Sequence, residues 1–372
     1  MAGYITQRIL GLAGILLLVE AGFGQVVPFD SDRWLIEAEE SRIEDFKGQR
    51  SLFIQGGGAV IRDSEFLDGI IEYDVVLPDD RGFTGAVWRW QDWVNYEEFY
   101  LRSHQSGNPD ANQYTPVFNG LAGWQLYHGP GYGVPVEYVF NEWQHVKLVV
   151  SGQQAEVYLE DMAQPLLFIP ELKRESLTGL VGISAGFFAP ARFANFSYTA
   201  LDQPPLVGPA PESVETSPGT VTSWQVSNIF DEAALAEKTR LDAGDKASLA
   251  WSDLNSESTG ITNLARVAVI GEQANTVYAR VVVNSEKKQV RQVHFGYSDR
   301  VRVYLNDLLL YTGDNTYRSR DYRYLGTIGY FDELYLPLKK GRNELWFAVS
   351  ESFGGWGIQA RFEDLTGITL GK

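Results

Sequence analysis

Aromatic residues and planar polar side chains are concentrated in one region of this sequence. Tryptophan and tyrosine recur from position 88 to 100, and more of them follow in the glycine- and proline-containing segment 103–135. Sugars bind proteins by stacking their C–H faces on aromatic rings while their hydroxyl groups meet planar polar groups. The pattern therefore predicts a carbohydrate-binding surface, with ligand contacts expected from Trp88, Trp90, Arg102, Trp124 and Tyr127.

The same rings have an alternative interpretation, in which they pack in the core or fix the 103–135 segment to a sheet. Trp88 and Trp90 are two positions apart, so in a regular strand their side chains face the same side. On the binding interpretation we expect both rings on the ligand face, and on the core interpretation both rings inside.

Arginine and tyrosine alternate over residues 317–324. This density of charge does not form a hydrophobic core, so the segment is predicted to be an exposed loop. Arginine forks onto carboxylates and stacks on rings, which suits acidic or sulfated sugars. Two interpretations stay open: the loop binds a ligand, or it docks one part of the chain on another. The ligand contacts expected on the first are Tyr317, Arg318, Tyr322 and Arg323.

Carboxylates in the first half of the chain raise the question of catalysis. Glu72 and Asp74 alternate on one predicted strand, roughly 6.5–7 Å apart by the rise of a strand. Glycosidases work with a pair of carboxyl groups, so a catalytic interpretation uses Glu72, Asp74 and Glu98. The alternative is a solvated polar face. The four histidines have no metal-ligand spacing, and no nucleophile elbow or phosphate loop is present.

Composition limits the classes of function. The chain has 372 residues and a formal net charge of −17, which disfavours nucleic acids and anionic membranes as partners. It contains no cysteine, which excludes disulfides, thiolate metal sites and cysteine nucleophiles. We therefore predict a protein that does not bind nucleic acid.

The N-terminus has the layout of a secretory signal peptide. Arg8 precedes an uncharged apolar run at residues 9–19, and small residues at Gly22 and Gly24 mark a cleavage site. The alternative is a membrane anchor, but this run is too short for a hydrocarbon core of about 30 Å. Residues 1–24 are therefore predicted to be removed. We expect a secreted or periplasmic protein without membrane insertion after cleavage.

A proline-rich segment divides the remaining chain. Residues 201–219 contain five prolines and no apolar periodicity, as is typical of an extended linker. On both sides, short alternating apolar segments separated by glycine-rich turns predict β-strands. Strands at this spacing, without alternating helices, indicate β-sandwiches or barrels over residues 25–200 and 220–372.

The first domain resembles a known family through three segments. Residues 66–75 (FLDGIIEYDV), 141–150 (NEWQHVKLVV) and 155–161 (AEVYLED) are similar to strands of concanavalin A-like and laminin G-like jelly rolls, in particular of the 3-keto-glycoside hydrolase-like branch. The resemblance implies a β-sandwich fold, which carries lectins, adhesion modules and glycosidases alike. Family 16 glycoside hydrolases of this fold use the motif E-x-D-x-x-E. Here Leu77 replaces its second glutamate, so that chemistry is missing.

The second domain resembles the galactose-binding-like jelly rolls. The resemblance is carried by residues 299–310 (DRVRVYLNDLLL), 336–349 (LPLKKGRNELWFAV) and 356–362 (WGIQARF). It implies a second sandwich. A structural Ca²⁺ is frequent in both folds, although the sequence does not place one, and no other cofactor is expected.

Together these observations predict two β-sandwich domains of the jelly-roll type joined by a proline-rich linker. We expect an exported, non-catalytic protein whose partner is an oligo- or polysaccharide. Two alternatives stay open: a glycan-cleaving hydrolase of the 3-keto-glycoside type, and a laminin G-like protein–protein adhesion module.

Overall fold

The computed structural model describes residues 24–208, 214–318 and 320–371. Throughout these ranges the chain is almost entirely antiparallel β-structure, which confirms the all-β prediction. Residues 1–23 of the predicted signal peptide and residues 209–213 of the predicted linker lie outside the described residues, so both stay predictions, as do the domain bounds. Within the same ranges, no helix is long and apolar enough to cross a bilayer.

The strands of the first half form one twelve-stranded sheet. We call this unit, residues 24–208, the N-terminal sandwich. Its strands are β1 Trp34–Phe46, β2 Gln49–Ile61, β3 Gly69–Val76, β4 Thr84–Asp92, β5 Asn95–Leu101, β6 Asn112–Phe118, β7 Leu121–Ala122, β8 Trp143–Ser151, β9 Gln154–Leu159, β10 Leu167–Ile169, β11 Leu180–Ala185 and β12 Ala191–Ala200.

This sheet curls over on itself as a jelly-roll sandwich. Its strand order is β10-β9-β8-β3-β12-β2-β11-β4-β5-β6-β7, with β1 paired to β2. β2 connects the two layers, since residues 52–54 pair with β12 whereas residues 57–60 pair with β11. The bend falls at Gly56 and Gly57, whose φ angles of 64° and 158° favour glycine. Alternate residues of both layers then face one core, for example Tyr73 of β3 and Phe99 of β5.

The second half forms two sheets that pack face to face. We call this unit, residues 214–371, the C-terminal sandwich. Its strands are β13 Ser223–Ser227, β14 Trp251–Asn255, β15 Thr262–Asn263, β16 Thr276–Ser285, β17 Gln289–Ser298, β18 Arg300–Leu305, β19 Leu308–Asp314, β20 Asp332–Leu338, β21 Gly341–Ser350, β22 Gly357–Phe362 and β23 Ile368–Gly371. A short helix, α1, covers Ala243–Ala247, and 3₁₀ turns cover Glu232–Leu235 and Leu264–Arg266. A further 3₁₀ turn, Ser103–Gln105, belongs to the N-terminal sandwich.

One sheet of the C-terminal sandwich has the order β14-β13-β16-β21-β18-β19 with β23 beside β16, and the other has the order β15-β22-β17-β20. The strand β16 shows why these segments form a sheet: TVYARVVVNS is rich in β-branched residues. Its Val281 and Val283 face Phe295 and Ile358 of the second sheet across a common core.

A buried ion pair holds the two sandwiches together. The ammonium group of Lys173, on the N-terminal sandwich, lies 2.7 Å from a carboxylate oxygen of Glu257 on the C-terminal sandwich. The Lys173 side chain is only 2% exposed. Tyr127 donates its hydroxyl hydrogen to the other oxygen of Glu257 at 2.5 Å. Glu257 therefore satisfies two donors from the opposite sandwich.

Backbone hydrogen bonds also cross between the sandwiches, through Gln125. Its amide donates to the carbonyl of Gly354 at 2.9 Å, and its carbonyl accepts from the amide of Ile328 at 3.0 Å. The Ser298 hydroxyl donates to the Gln125 side-chain oxygen at 2.7 Å. This pairing fixes the segment after β7 against loops of the C-terminal sandwich.

Candidate functional site

The outer face of β5 provides the floor of a cleft. Because side chains alternate along a strand, Glu97 and Phe99 lie inside the N-terminal sandwich while Glu98 and Tyr100 point away from its core. On the neighbouring β6, Gln113 stands opposite Tyr100 and faces the same side. The floor is therefore polar.

Loops of both sandwiches rise around this floor and enclose a cleft of about 920 Å³. This volume is in the range of sites that bind small molecules and oligosaccharide-sized ligands. The N-terminal sandwich contributes the residues Arg81, Phe83, Glu98, Tyr100, Arg102, His104, Gln105, Asp110, Gln113, Leu121, Trp124, His128, Phe187 and Phe188. The C-terminal sandwich contributes Tyr317, Tyr324, Leu325, Thr327, Phe353 and Gly354.

One wall carries exposed phenylalanine rings. Phe187 and Phe188, in the turn between β11 and β12, are 67% and 59% exposed. Phe83 lies beside Phe188 with ring centroids 6.0 Å apart. The Arg81 guanidinium lies 4.2 Å from the centroid of the Phe188 ring. Adjacent rings at this level of exposure do little for the core and are available to a ligand.

The facing wall joins aromatic rings from the two sandwiches. Trp124 contacts Phe353 in an edge-to-face arrangement at 5.9 Å, and Phe353 lies 6.3 Å from Tyr317. Phe353 and Tyr317 belong to loops of the C-terminal sandwich and are 55% and 51% exposed. The cleft is therefore a composite site that neither sandwich forms alone.

Arg102 is fixed within the cleft by its neighbours. Its guanidinium donates to Tyr100 Oη at 3.0 Å and to the side-chain oxygen of Gln113, and lies 3.4 Å from a carboxylate oxygen of Asp110. It also lies 5.9 Å from the ring of Trp124. The arginine is thus held in place before any ligand arrives.

Glu98 is the carboxyl group at the cleft floor. Its one side-chain partner is Ser184 of β11, whose hydroxyl donates to it at 2.9 Å. Burial raises the pKa of Glu98 to about 7, and the Ser184 hydrogen bond opposes this only in part. Near neutral pH this group can donate a hydrogen bond as an acid or accept one as a carboxylate.

The pKa values of the two cleft histidines, His104 and His128, are both lowered. Burial lowers the pKa of His104, and the nearby charges of Arg81 and Arg102 lower it further. Burial likewise lowers the pKa of His128, whose Nε2 lies 3.2 Å from the Ile328 carbonyl oxygen.

The expectation that Trp88 and Trp90 face the same side is wrong. Arg89 adopts a positive φ of 47° within a register shift of β4, so the alternation of side chains is interrupted between the two tryptophans. Trp88 is fully buried in the core. Trp90 packs edge-to-face on Trp93, whose ring lies over Gly58 on the outer face. Neither Trp88 nor Trp90 lines the cleft, so the structure does not support either as a ligand contact.

The other predicted contacts from the N-terminal sandwich divide in two. Arg102 and Trp124 line the cleft. Tyr127 is fully buried beneath it, and its hydroxyl is used by Glu257. The ring of Tyr127 therefore serves the docking of the two sandwiches and does not reach a ligand.

The 317–324 segment contacts the N-terminal sandwich, as the docking interpretation expects, and it also borders the cleft. Tyr317 lines the cleft, and Tyr324 stacks near His128 of the N-terminal sandwich at 5.1 Å. Tyr322 is 92% exposed and Arg323 pairs with Asp321 at 2.6 Å, outside the cleft lining. Arg318, also expected to bind, lies on the exposed surface of the same loop without lining the cleft.

The structure does not bring the three candidate catalytic carboxylates together. Glu72 and Asp74 point outward from β3 and flank His145, which lies 3.7 Å from Glu72 and 2.7 Å from Asp74. These two carboxylates raise the pKa of His145 to about 9. Glu98 points outward from β5 in the opposite layer, so the core separates it from the pair. A catalytic trio of Glu72, Asp74 and Glu98 is therefore ruled out by position.

Sequence reasoning missed the phenylalanine residues of the cleft. Phe187 and Phe188 are adjacent within the glycine- and proline-bounded turn GFFAP, and Phe353 lies in the turn SFGG. Strand alternation buries at most one of two neighbouring residues, so paired rings in a turn were a readable signal of exposure. No group of three or more metal-ligating side chains occurs in the described ranges.

No protein-family model matches the chain, and no curated protein matches it. Among solved structures, the carbohydrate binding module CBM66 from Bacillus subtilis is similar, with a TM-score of 0.36 and 17% identity over 45% of this chain and 96% of that chain. A GH43 protein from Bacillus licheniformis has a TM-score of 0.34 and 14% identity, over 47% of this chain and 39% of that chain. The β-glucanase of Bacillus licheniformis has a TM-score of 0.35 and 10% identity, over 49% of this chain and 100% of that chain. At these values the similarities assign no family, ligand or activity.

Proposed function

We propose that the protein binds an oligo- or polysaccharide in the cleft between its two sandwiches and does not cleave it. The observation that carries this proposal is the combination of exposed aromatic walls with a polar floor in a cleft of about 920 Å³. Rings such as Trp124 and Phe188 offer stacking surfaces for sugar C–H faces, while Arg102, Gln105 and Glu98 offer hydrogen bonds to hydroxyl groups.

The glycan that fits this cleft is neutral. Two of the three loop arginines that suggested acidic or sulfated sugars already have carboxylate partners, since Arg320 pairs with Asp332 at 2.9 Å and Arg323 pairs with Asp321 at 2.6 Å. The third, Arg318, lies on the exposed surface outside the cleft lining. Within the cleft, Arg102 faces Asp110. An ionised Glu98 at the floor would repel a uronate or a sulfate.

A glycan array tests the proposal, followed by calorimetric titration of the strongest neutral oligosaccharide on it. We expect Trp124→Ala to weaken binding tenfold to a hundredfold, because a deleted interface anchor costs about 1–3 kcal/mol. The matched control is Tyr322→Ala, which removes a ring that is 92% exposed and outside the cleft. This control should bind like the unmodified protein.

Trp88→Ala separates binding from folding in the same experiment. Removing a tryptophan that is 0% exposed should lower the free energy of unfolding by about 3–5 kcal/mol, while the remaining folded protein binds normally. An array without a single glycan hit, or a Trp124→Ala variant with unchanged affinity, would contradict the proposed site. A protein that binds no glycan on the array but captures protein partners would support the adhesion alternative.

A second candidate function rests on one observation, the position of Glu98. A half-buried carboxyl group with a pKa of about 7 in a cleft has the properties of a general acid for glycoside cleavage. We infer that such a hydrolase would pair Glu98 with Asp110, the other carboxyl group that lines the cleft. A reducing-end assay on the array hits distinguishes the two functions, since turnover that is lost in Glu98→Gln would favour the hydrolase.

We also propose that the protein acts outside the cytoplasm. The support is the predicted signal peptide over residues 1–24. The purified secreted protein should begin at or near Gln25, and a mature chain that retains Met1 would contradict export.

A further inference from the structure

Two buried carboxyl groups lie side by side next to the cleft. Asp299 immediately precedes β18 and Glu351 immediately follows β21, and these strands are antiparallel neighbours with Arg300 opposite Ser350. The Asp299 amide donates to the Ser350 carbonyl at 3.0 Å. Both side chains therefore come from the same end of one sheet, and each residue is 1% exposed.

These carboxyl groups hold a turn that belongs to the cleft wall. One oxygen of Asp299 accepts hydrogen bonds from the amides of Ser352 at 3.0 Å and Phe353 at 3.3 Å. One oxygen of Glu351 accepts from the Gly355 amide at 3.3 Å. The turn 352–355 places Phe353 against Trp124. Its Gly354 carbonyl accepts the amide of Gln125 from the other sandwich.

The charge of the pair is not balanced by its surroundings. The second oxygen of each group, Asp299 Oδ1 and Glu351 Oε2, is buried without a hydrogen-bonding partner. Arg300, the cation that acts on both groups, is already bound by Glu232 through three hydrogen bonds of 2.9, 3.1 and 2.7 Å. Asp314 adds a further negative charge that acts on Asp299.

Two adjacent carboxylates in a buried site do not both ionise, because each disfavours the charge of the other. Burial raises the pKa of Asp299. Burial and the charge of Asp299 together raise the pKa of Glu351 to about 8. The positions of the two groups and the shifts of their pKa values therefore both indicate that the pair does not carry two negative charges.

We propose that Asp299 and Glu351 share a single proton and that this singly charged pair positions the turn 352–355, and with it Phe353, in the cleft wall. The two side chains are positioning residues, since they act through the turn and line no part of the cleft themselves. When the turn opens, both carboxyl groups reach water and release the shared proton. Raising the pH therefore favours the open turn.

Hydrogen exchange measured by mass spectrometry on the full-length protein tests this without any ligand. The protection of the turn amides, corrected for the intrinsic rate, should fall about tenfold per pH unit between pH 6 and pH 8 and level off above it, because one proton is released on opening. Glu351→Gln replaces the protonated acid with a neutral amide, so its turn should show protection that is independent of pH.

Glu97→Gln is the matched control. Glu97 is a fully buried carboxyl group whose pKa is also raised by burial, but it lies in the N-terminal sandwich, away from the turn. This variant should keep the pH dependence of the unmodified turn. Protection that does not vary with pH in the unmodified protein, or a Glu351→Gln variant that keeps the pH dependence, would overturn the proposal. Selective restoration of protection by 1 mM Ca²⁺ at pH 8 would also overturn it, since a bound cation would then replace the proton.

The effect on ligand binding rests on the proposed function. If the cleft binds glycan, affinity should decline over the same pH range in the unmodified protein and not in Glu351→Gln. Absence of glycan binding at every pH would refute the proposed function and leave the exchange experiment unaffected.

Discussion

Glu98 has a single side-chain partner, Ser184, although the residues on either side of it face a dense core. Burial disfavours its charged form, and no cation contacts it in the described residues to offset this cost. The folded protein therefore binds a proton at Glu98 more tightly than the unfolded chain, in which the pKa is near 4.5. Glu98 thus links the stability of the N-terminal sandwich to pH.

This linkage gives a prediction with a definite sign. The stabilisation from protonated Glu98 is complete below about pH 4.5 and is lost as the pH rises through about 7. Glu98→Gln should make the free energy of unfolding fall less steeply between pH 5 and pH 7 than in the unmodified protein. Urea titrations at several pH values measure this difference. Glu363→Gln, which alters a 62% exposed side chain, should keep the original slope, and an unchanged slope in Glu98→Gln would refute the assignment.

Trp88 and Trp90 show what sequence could and could not give at the scale of single residues. Their position on a strand was readable from the alternation of residues around them. That their side chains face opposite sides of the sheet was not readable from the sequence. The change of side depends on the positive φ of Arg89, which a non-glycine residue adopts rarely. Trp124 was recognisable as a surface ring because the segment around it contains several glycines.

At the scale of elements, glycines make room for the large rings of the outer face. Gly58 of β2 lies beneath Trp93, and a Cβ atom at position 58 would lie 2.3 Å from Cη2 of that ring. The backbone oxygen of Ile183 would be only 2.7 Å away. The tryptophan therefore covers the sheet only because β2 has no side chain at this position.

We expect Gly58→Ala to lower the free energy of unfolding by about 1–3 kcal/mol, as is usual for overpacking. The matched control is Gly271→Ala, since a Cβ atom there meets nothing within 4 Å. This control should change stability by less than about 0.5 kcal/mol. Thermal and urea unfolding of the two variants provide the measurement, and equal stabilities would contradict the packing described for Trp93.

Strand positions were largely predictable because β-branched residues mark them. The alternation at residues 277–284 predicts a strand, and the structure has β16 at Thr276–Ser285. The strand order was not predictable, since β2 pairs with both β11 and β12 through a bend at two glycines that resemble an ordinary turn. The cleft was not predictable either, because the contact between Trp124 and Phe353 joins residues far apart in sequence.

At the scale of the whole molecule, the two sandwiches are joined by buried polar contacts. The pairing of Lys173 with Glu257 at 2.7 Å takes both charges largely out of water. Removing Glu257 leaves Lys173 with one carboxylate partner, the exposed Glu171 at 2.6 Å, and leaves the Tyr127 hydroxyl without its acceptor, which costs at most about 3–5 kcal/mol. The interface is therefore sensitive to single substitutions.

A protease site introduced at residues 209–213 tests this. After cleavage, the two fragments should elute together in size-exclusion chromatography. In a Glu257→Ala background the two fragments should associate more weakly and elute separately. Glu175→Ala is the control, because its pair with Arg266 also joins the sandwiches but is 55% and 31% exposed, and such pairs contribute about 1 kcal/mol or less. Fragments that separate without any substitution would contradict a stable interface.

The composite cleft has a mechanical consequence. If the proposed glycan stacks on the wall where Trp124 of one sandwich meets Phe353 of the other, it forms a removable bridge between the two cores. Its binding free energy then adds to that of the interface, so the occupied molecule resists a pulling force along its length better than the empty one. Ligand is therefore expected to raise the force at which the two sandwiches separate.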